Sequence, residues 1–241
     1  MLKFSEANAK TQRLYAIGIV PTGKKVYSLD LPSGWACPGA RECLSKCVDG
    51  KIQDGKHTRF RCFSASQEVV FPKVHEVRQH NLAILKQTRG AKQVADIIET
   101  SLPADAGVIR YHVGGDFFKP SYFQGALLVA RRRPDIRFYT YTKSIPTIIP
   151  YLVLPSRGII CDNFFITASR GGKYDQMISD YCIREAVVVF SKAEAQKLGL
   201  EIDHDDSHAS CPGPSFALLL HGVQPARSEA SAALSRLRRD Q

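Results

Sequence analysis

Six short runs rich in β-branched and aromatic residues, centred near positions 26, 110, 139, 166, 188 and 218, alternate with segments whose apolar residues recur at helical spacing. This alternation constrains the fold more than any other feature of the chain. Strands separated by helices are joined by right-handed crossovers, which build a largely parallel sheet. The runs near 110, 188 and 218 are almost continuously apolar, as strands buried on both faces must be. Helical periodicity marks 73–87, 91–102, 121–133, 173–184, 192–198 and 228–237. Segments 14–20 and 25–31 flank the turn Pro21-Thr22-Gly23 and read as a hairpin, or as a first strand with its lead-in. No internal repeat or linker divides the chain, so residues 1–241 are expected to form a single α/β domain.

Parallel α/β folds carry their sites at the carboxyl ends of the strands. Past each run stand small, polar or charged residues: a cysteine-rich loop, then Gly114-Gly115-Asp116, Lys143-Ser144, Ser169-Arg170-Gly171, Ser191-Lys192 and His221-Gly222. Together they predict a polar rim around one mouth. Two glycines let a ligand approach the backbone, and Asp116 could pair with an ammonium group; the competing reading is a tight strand-to-helix turn. Lys143, Ser169 and Arg170 are candidate contacts for a carboxylate or phosphate.

The strongest chemical signal is Cys37, Cys43, Cys47 and Cys62, four of seven cysteines, within a loop that spans 32–66 and is rich in Gly and Pro. A long aperiodic loop is uncommon unless a ligand holds it. Clustered thiols in a cytoplasmic chain read as metal ligands rather than disulfides. Four thiolates suit a 4Fe-4S cluster or a tetrahedral zinc equally well. Lys46, Arg59 and Arg61 would offset their charge. A second dense segment, His204-Asp205-Asp206-Ser207-His208, reads either as hard metal or acid–base ligands or as a polar loop bonded to its own backbone.

Composition narrows the function classes. With 44% hydrophobic and 23% charged residues, disorder and coiled coil are excluded. No apolar run approaches the ~20 residues of a membrane span, and the start MLKFSEANAK has no apolar signal region, so a cytoplasmic protein without membrane contact is expected. Thirty-three Lys and Arg against 23 Asp and Glu give +10, which permits nucleic acid as a partner without requiring it. The densest basic runs, Arg131 to Arg133 and Arg236, Arg238 and Arg239, fall at helix ends, where the helix dipole favours them.

The stretches Leu29–Ala40, Phe60–Ser66, His112–Phe118, Phe138–Ser144 and Ile202–His208, in order along 28–233, resemble the bacteriophage gene product eighty-eight family. The resemblance implies a phage-encoded protein acting in the cytoplasm of the infected bacterial host. The family in turn is similar in layout to radical S-adenosylmethionine (SAM) enzymes, which implies a partial six-stranded (β/α)6 TIM-like barrel. In that layout Cys37, Cys43 and Cys47 would ligate a 4Fe-4S cluster, and Gly114, Gly115 and Asp116 would hold SAM. The family resemblance itself weighs Cys37, Cys43 and Cys62 above Cys47. The spacing departs from the radical SAM pattern, with five and then three residues between the first cysteines. The first expectation is therefore an iron–sulfur protein with four cysteine ligands and a redox, electron-transfer or structural role, acting with a small-molecule or protein partner. A radical SAM enzyme and a zinc-stabilised nucleic-acid-binding protein are the alternatives.

Overall fold

The computed structural model describes residues 1–6 and 9–239. Its main sheet contains β1 (Ser5–Glu6), β2 (Lys25–Leu29), β5 (Ala106–Tyr111), β6 (Arg137–Thr142), β7 (Ile159–Cys161), β8 (Phe164–Ser169), β9 (Glu185–Val189) and β10 (Phe216–Leu219). A separate antiparallel hairpin pairs β3 (Ser45–Val48) with β4 (Lys51–Asp54). In the main sheet β2, β5, β6, β8, β9 and β10 lie side by side in that order, every neighbouring pair parallel. The short β1 adds antiparallel to one edge, β7 pairs antiparallel with β8, and β10 forms the other edge. The result is a mixed α/β fold with a mostly parallel sheet.

The helices are α1 (Arg13–Ala16), α2 (Phe63–Val70), α3 (Pro72–Gln87), α4 (Ala91–Ser101), α5 (Pro120–Arg132), α6 (Ile145–Ile148), α7 (Asp175–Asp180), α8 (Lys192–Lys197) and α9 (Glu229–Arg239). Pro72 and Pro120 sit in the first turns of α3 and α5, where a missing N–H costs nothing. Strand order that always steps the same way places right-handed crossovers on one face. On that face Ile109, Tyr111, Phe138, Phe164 and Ile166 pack with Val94 and Ile98 of α4 and Phe123 and Leu127 of α5. Full burial of such side chains is worth about 1.5–3 kcal/mol each.

The opposite face is covered differently. Val26, Val108, Tyr139, Phe165 and Phe216 meet Leu14 and Val20 from the amino-terminal segment and Ala209 from the segment before β10. Arg110, on β5, donates to Asp206, and that carboxylate also accepts from the hydroxyls of Tyr139 (3.0 Å) and Tyr141 (3.2 Å). Arg184 is 1% exposed; it donates to Thr167 Oγ1 (2.6 Å) and to the carbonyls of His208 (3.0 Å) and Cys211. The segment around Asp206 is thus a plug seated by its backbone carbonyls and one carboxylate.

Three expectations change here. Segment 14–20 is not a strand: 13–16 is a helical turn, and Leu14, fully buried, lies against this opposite face. The cysteine-rich loop is not wholly irregular, because Asp49 (φ 48°) and Gly50 (φ 70°) turn the β3–β4 hairpin. Finally, the two readings of 204–208 narrow to the polar loop: Ser207 N donates to Asp205 (3.0 Å) and Asp205 N to Asp203 (3.1 Å), while the fully buried Asp206 bonds the segment into the fold.

Candidate metal centre at the carboxyl end of the sheet

The cysteine-rich loop leaves β2 and is fastened over the carboxyl ends of its neighbours. Asp30 accepts from Val113 N (2.6 Å), and Leu31 N donates to Gly114 O (2.9 Å), tying the ends of β2 and β5. Further along, Glu42 N donates to Gly171 O and Lys173 N to Gly39 O, both at 2.9 Å, beyond the end of β8. This fastening brings Cys37 and Cys43 beside Cys62, which immediately precedes α2. Burial pushes the Cys37 thiol well up, and the nearby Asp116 carboxylate, Cys62 and Cys43 push it further; the N–H of Gly34, 3.3 Å from its sulfur, opposes them. Burial pushes Cys43 up to about 11, opposed by the Lys143 ammonium and reinforced by Cys62 and Asp116. Cys37 and Cys43 therefore carry neutral, desolvated thiols at neutral pH. Among the described residues no group of three or more His, Cys, Asp or Glu is arranged to hold a metal ion as it stands.

Cys47 does not join them. Ser45, on β3, accepts from Cys62 N (3.4 Å), and Cys47 lies two residues further along the same face. Two strand residues span about 6.8 Å. There the thiol is buried, and its acidic neighbours are Glu68 and Asp49 rather than the other thiols. Cys47 thus stands apart from Cys37, Cys43 and Cys62.

The remaining rim residues arrive at the same end of the sheet, each with internal partners. Asp116 accepts from Thr142 Oγ1, from Phe117 N (2.7 Å) and from Lys143 N (2.8 Å). Burial raises its carboxyl, and these hydrogen bonds oppose the rise. Lys143 Nζ donates to Ser169 Oγ and O, each at 2.9 Å, and to Arg170 O. Arg170 pairs with Glu185 (Nη2 to Oε1, 3.0 Å). The ends of β5, β6 and β8 are thus clasped in turn, and Arg170 ties the end of β8 to the first residue of β9. The space beside the glycines is also filled. A Cβ on Gly114 would lie 2.2 Å from Ser64 Oγ, and one on Gly115, whose φ is +87°, would lie 2.4 Å from Leu31 Cβ. Gly114, Gly115 and Asp116 offer no fit for SAM, since protein atoms occupy the approach and the carboxylate is already bonded.

A family model described as Gene product 88 matches residues 2–239. The chain belongs to the Gene product 88 family. It is 30% identical over 136 residues to the Gene 88 protein of Mycobacterium phage L5, covering 52% of this chain and 50% of that protein. The Gene 88 protein of Mycobacterium phage D29 is 29% identical over 136 residues, again with 52% of this chain and 50% of the relative covered. The chain spans about half the length of the curated relatives it matches. No solved structure matches.

In this member of the Gene product 88 family, sequence reasoning missed the group that anchors the start of the cysteine loop. Glu68 is buried and accepts from Ser33 N (2.8 Å) and from Arg78 Nη1 (2.9 Å) through one oxygen, with His75 Nδ1 at 2.8 Å from the other. Arg78 also donates to Ser64 Oγ (2.7 Å). Apolar periodicity cannot find a helix face whose buried members are Arg78 and Asn81 beside two leucines. No helix among the described residues is long and apolar enough to cross a membrane.

Proposed function

We propose that this chain is an iron–sulfur protein whose cofactor is held by Cys37, Cys43 and Cys62, on an open (β/α)6 half-barrel, in the cytoplasm of an infected bacterium. The observation that carries the reading is a pair of thiols, Cys37 and Cys43, held neutral by burial with Cys62 close enough to act on both, while Cys47 lies apart. Soft thiolates suit iron–sulfur clusters, and burial favours their replacing protons by metal over standing charged alone. A bound cluster would supply one-electron transfer. Around it the chain's residues have definable work. Lys143 places positive charge near Cys43, and the Gly34 N–H donates to the sulfur of Cys37, a contact that tunes such sites. Asp116 and the clasped strand ends keep the loop's seat rigid. Three cysteines leave one ligand position without a thiol, yet the packing against Gly114 and Gly115 speaks against SAM as its occupant.

Anaerobic purification tests the proposal. A brown protein with iron and sulfide, lost in Cys37→Ala, Cys43→Ala and Cys62→Ala and kept in Cys47→Ala, is the expected result. A colourless protein with stoichiometric zinc would refute it and favour a zinc-stabilised nucleic-acid-binding role.

A further inference from the structure

A second site lies on the other side of Cys62, at the edge strand. Leu218, on β10, and Leu237, on α9, help to floor a cavity of about 630 Å³. Its mouth carries Lys192, His221 and Arg238, and neither Lys192 nor Arg238 has an ion-pair partner among the described residues. The lining carboxylate, Asp203, is 3% exposed; it accepts from Tyr141 Oη (3.3 Å) and Asp205 N (3.1 Å). Phe63, directly after Cys62, is 41% exposed and lies against His221 with ring centroids 4.7 Å apart. A smaller recess beside Phe60 and Arg61 shares Phe63, Leu218 and His221 with the larger one, so the hollow reaches both chain neighbours of Cys62.

We propose that this cavity binds a nucleotide, with the base against Phe63, His221 and the leucine floor and the phosphate at Lys192 and Arg238. The volume falls in the range of small-ligand sites. Apolar floor and exposed ring suit a planar base, whose stacking on an aromatic side chain is worth about 1–3 kcal/mol. Two cations without an ion-pair partner among the described residues match a phosphate dianion, whereas a fatty carboxylate would leave half that charge uncompensated. A free nucleotide and the 5′-terminal nucleotide of a single strand present the same chemistry. The proposal is independent of the metal reading, because none of these side chains is a candidate ligand.

Isothermal titration of the full chain with AMP, adenosine, decanoate and a 5′-phosphorylated thymidine tetramer tests it. AMP or the tetramer should bind at least about tenfold more tightly than adenosine or decanoate, with affinity falling as salt rises. Tighter binding of AMP identifies a free nucleotide as the ligand, and tighter binding of the tetramer a strand end. Lys192→Gln with Arg238→Gln, both exposed positions, should weaken binding by about tenfold or more. Phe63→Leu should weaken AMP binding about fivefold while sparing inorganic phosphate. Absence of binding by both nucleotide probes, preference for decanoate, or a double variant that binds unchanged would overturn the proposal. Since the titration needs no metal, a metal-free preparation that still binds AMP would separate it from the cluster reading.

Discussion

The plug on the sheet face opposite the helices and the thiols at the carboxyl end are both buried polar regions, and they are solved in opposite ways. Asp206 meets Arg110, Tyr139 and Tyr141, so opposite charge and two hydroxyls surround one carboxylate. Cys37 and Cys43 are pushed toward their neutral forms by burial, with Asp116 nearby adding to the pressure. One region is complete within the chain. The other holds thiols that burial keeps in their neutral form. The plug is therefore read as architecture, and the thiols carry the proposed metal site.

The comparison can be broken most sharply at Asp206. Asp206→Ala would leave Arg110 buried beside two tyrosines without its carboxylate, and removing one partner of a buried pair costs about 3–5 kcal/mol. Denaturant unfolding should show that loss without a change in metal content. Next in size is Gly115→Ala, which strains a residue at φ +87° and drives a methyl into Leu31; about 1–3 kcal/mol is expected from backbone strain alone. If that variant is as stable as the parent, the loop does not seat on the end of β5 as described.

A pH titration sharpens the contrast from a third position. His112 is buried, its Nε2 lies 2.9 Å from the Tyr122 hydroxyl, and burial, with Arg110 nearby, lowers it to about 3. Its contribution to stability is therefore fully present above pH 6.5. It is lost as pH falls from there toward 3, because the unfolded chain takes up the proton first, with a slope of at most about 1.4 kcal/mol per pH unit. His112→Asn, which tolerates the positive φ of 70°, should flatten that acid limb relative to the parent. The smallest expected effect is that of Cys47→Ala on the metal: iron content should match the parent, and a loss there would return Cys47 to the ligand set.

Much of the fold was legible because the parallel strands bury both faces, and continuous apolar runs such as Gly107-Val108-Ile109 announce this without knowledge of the helices. The helix α2 was not legible. Its buried residues are Ser64, Ala65, Ser66 and Glu68, so it shows no apolar stripe, and its partner is the polar group around Arg78. At the site, the cysteine cluster was visible as spacing, but its division into three and one depends on the hairpin that carries Cys47 onward. The Asp49-Gly50 turn was visible; the register it sets was not. Asp206 stood out as one of several polar residues in a row, and only the arrival of Arg110, 96 residues earlier in the chain, distinguishes it.

That separation of 96 residues has a consequence for how the molecule comes into being. A chain leaving the ribosome can pair β2, β5 and β6 long before residue 206 has been made. Until then Arg110, Tyr139 and Tyr141 face outward from a half-covered sheet. Non-local closure of this kind is slow and leaves apolar surface open to aggregation in the interval. The segment around Asp206 thus acts as a late cork, and synthesis interrupted before it would release a sheet with that face only half covered.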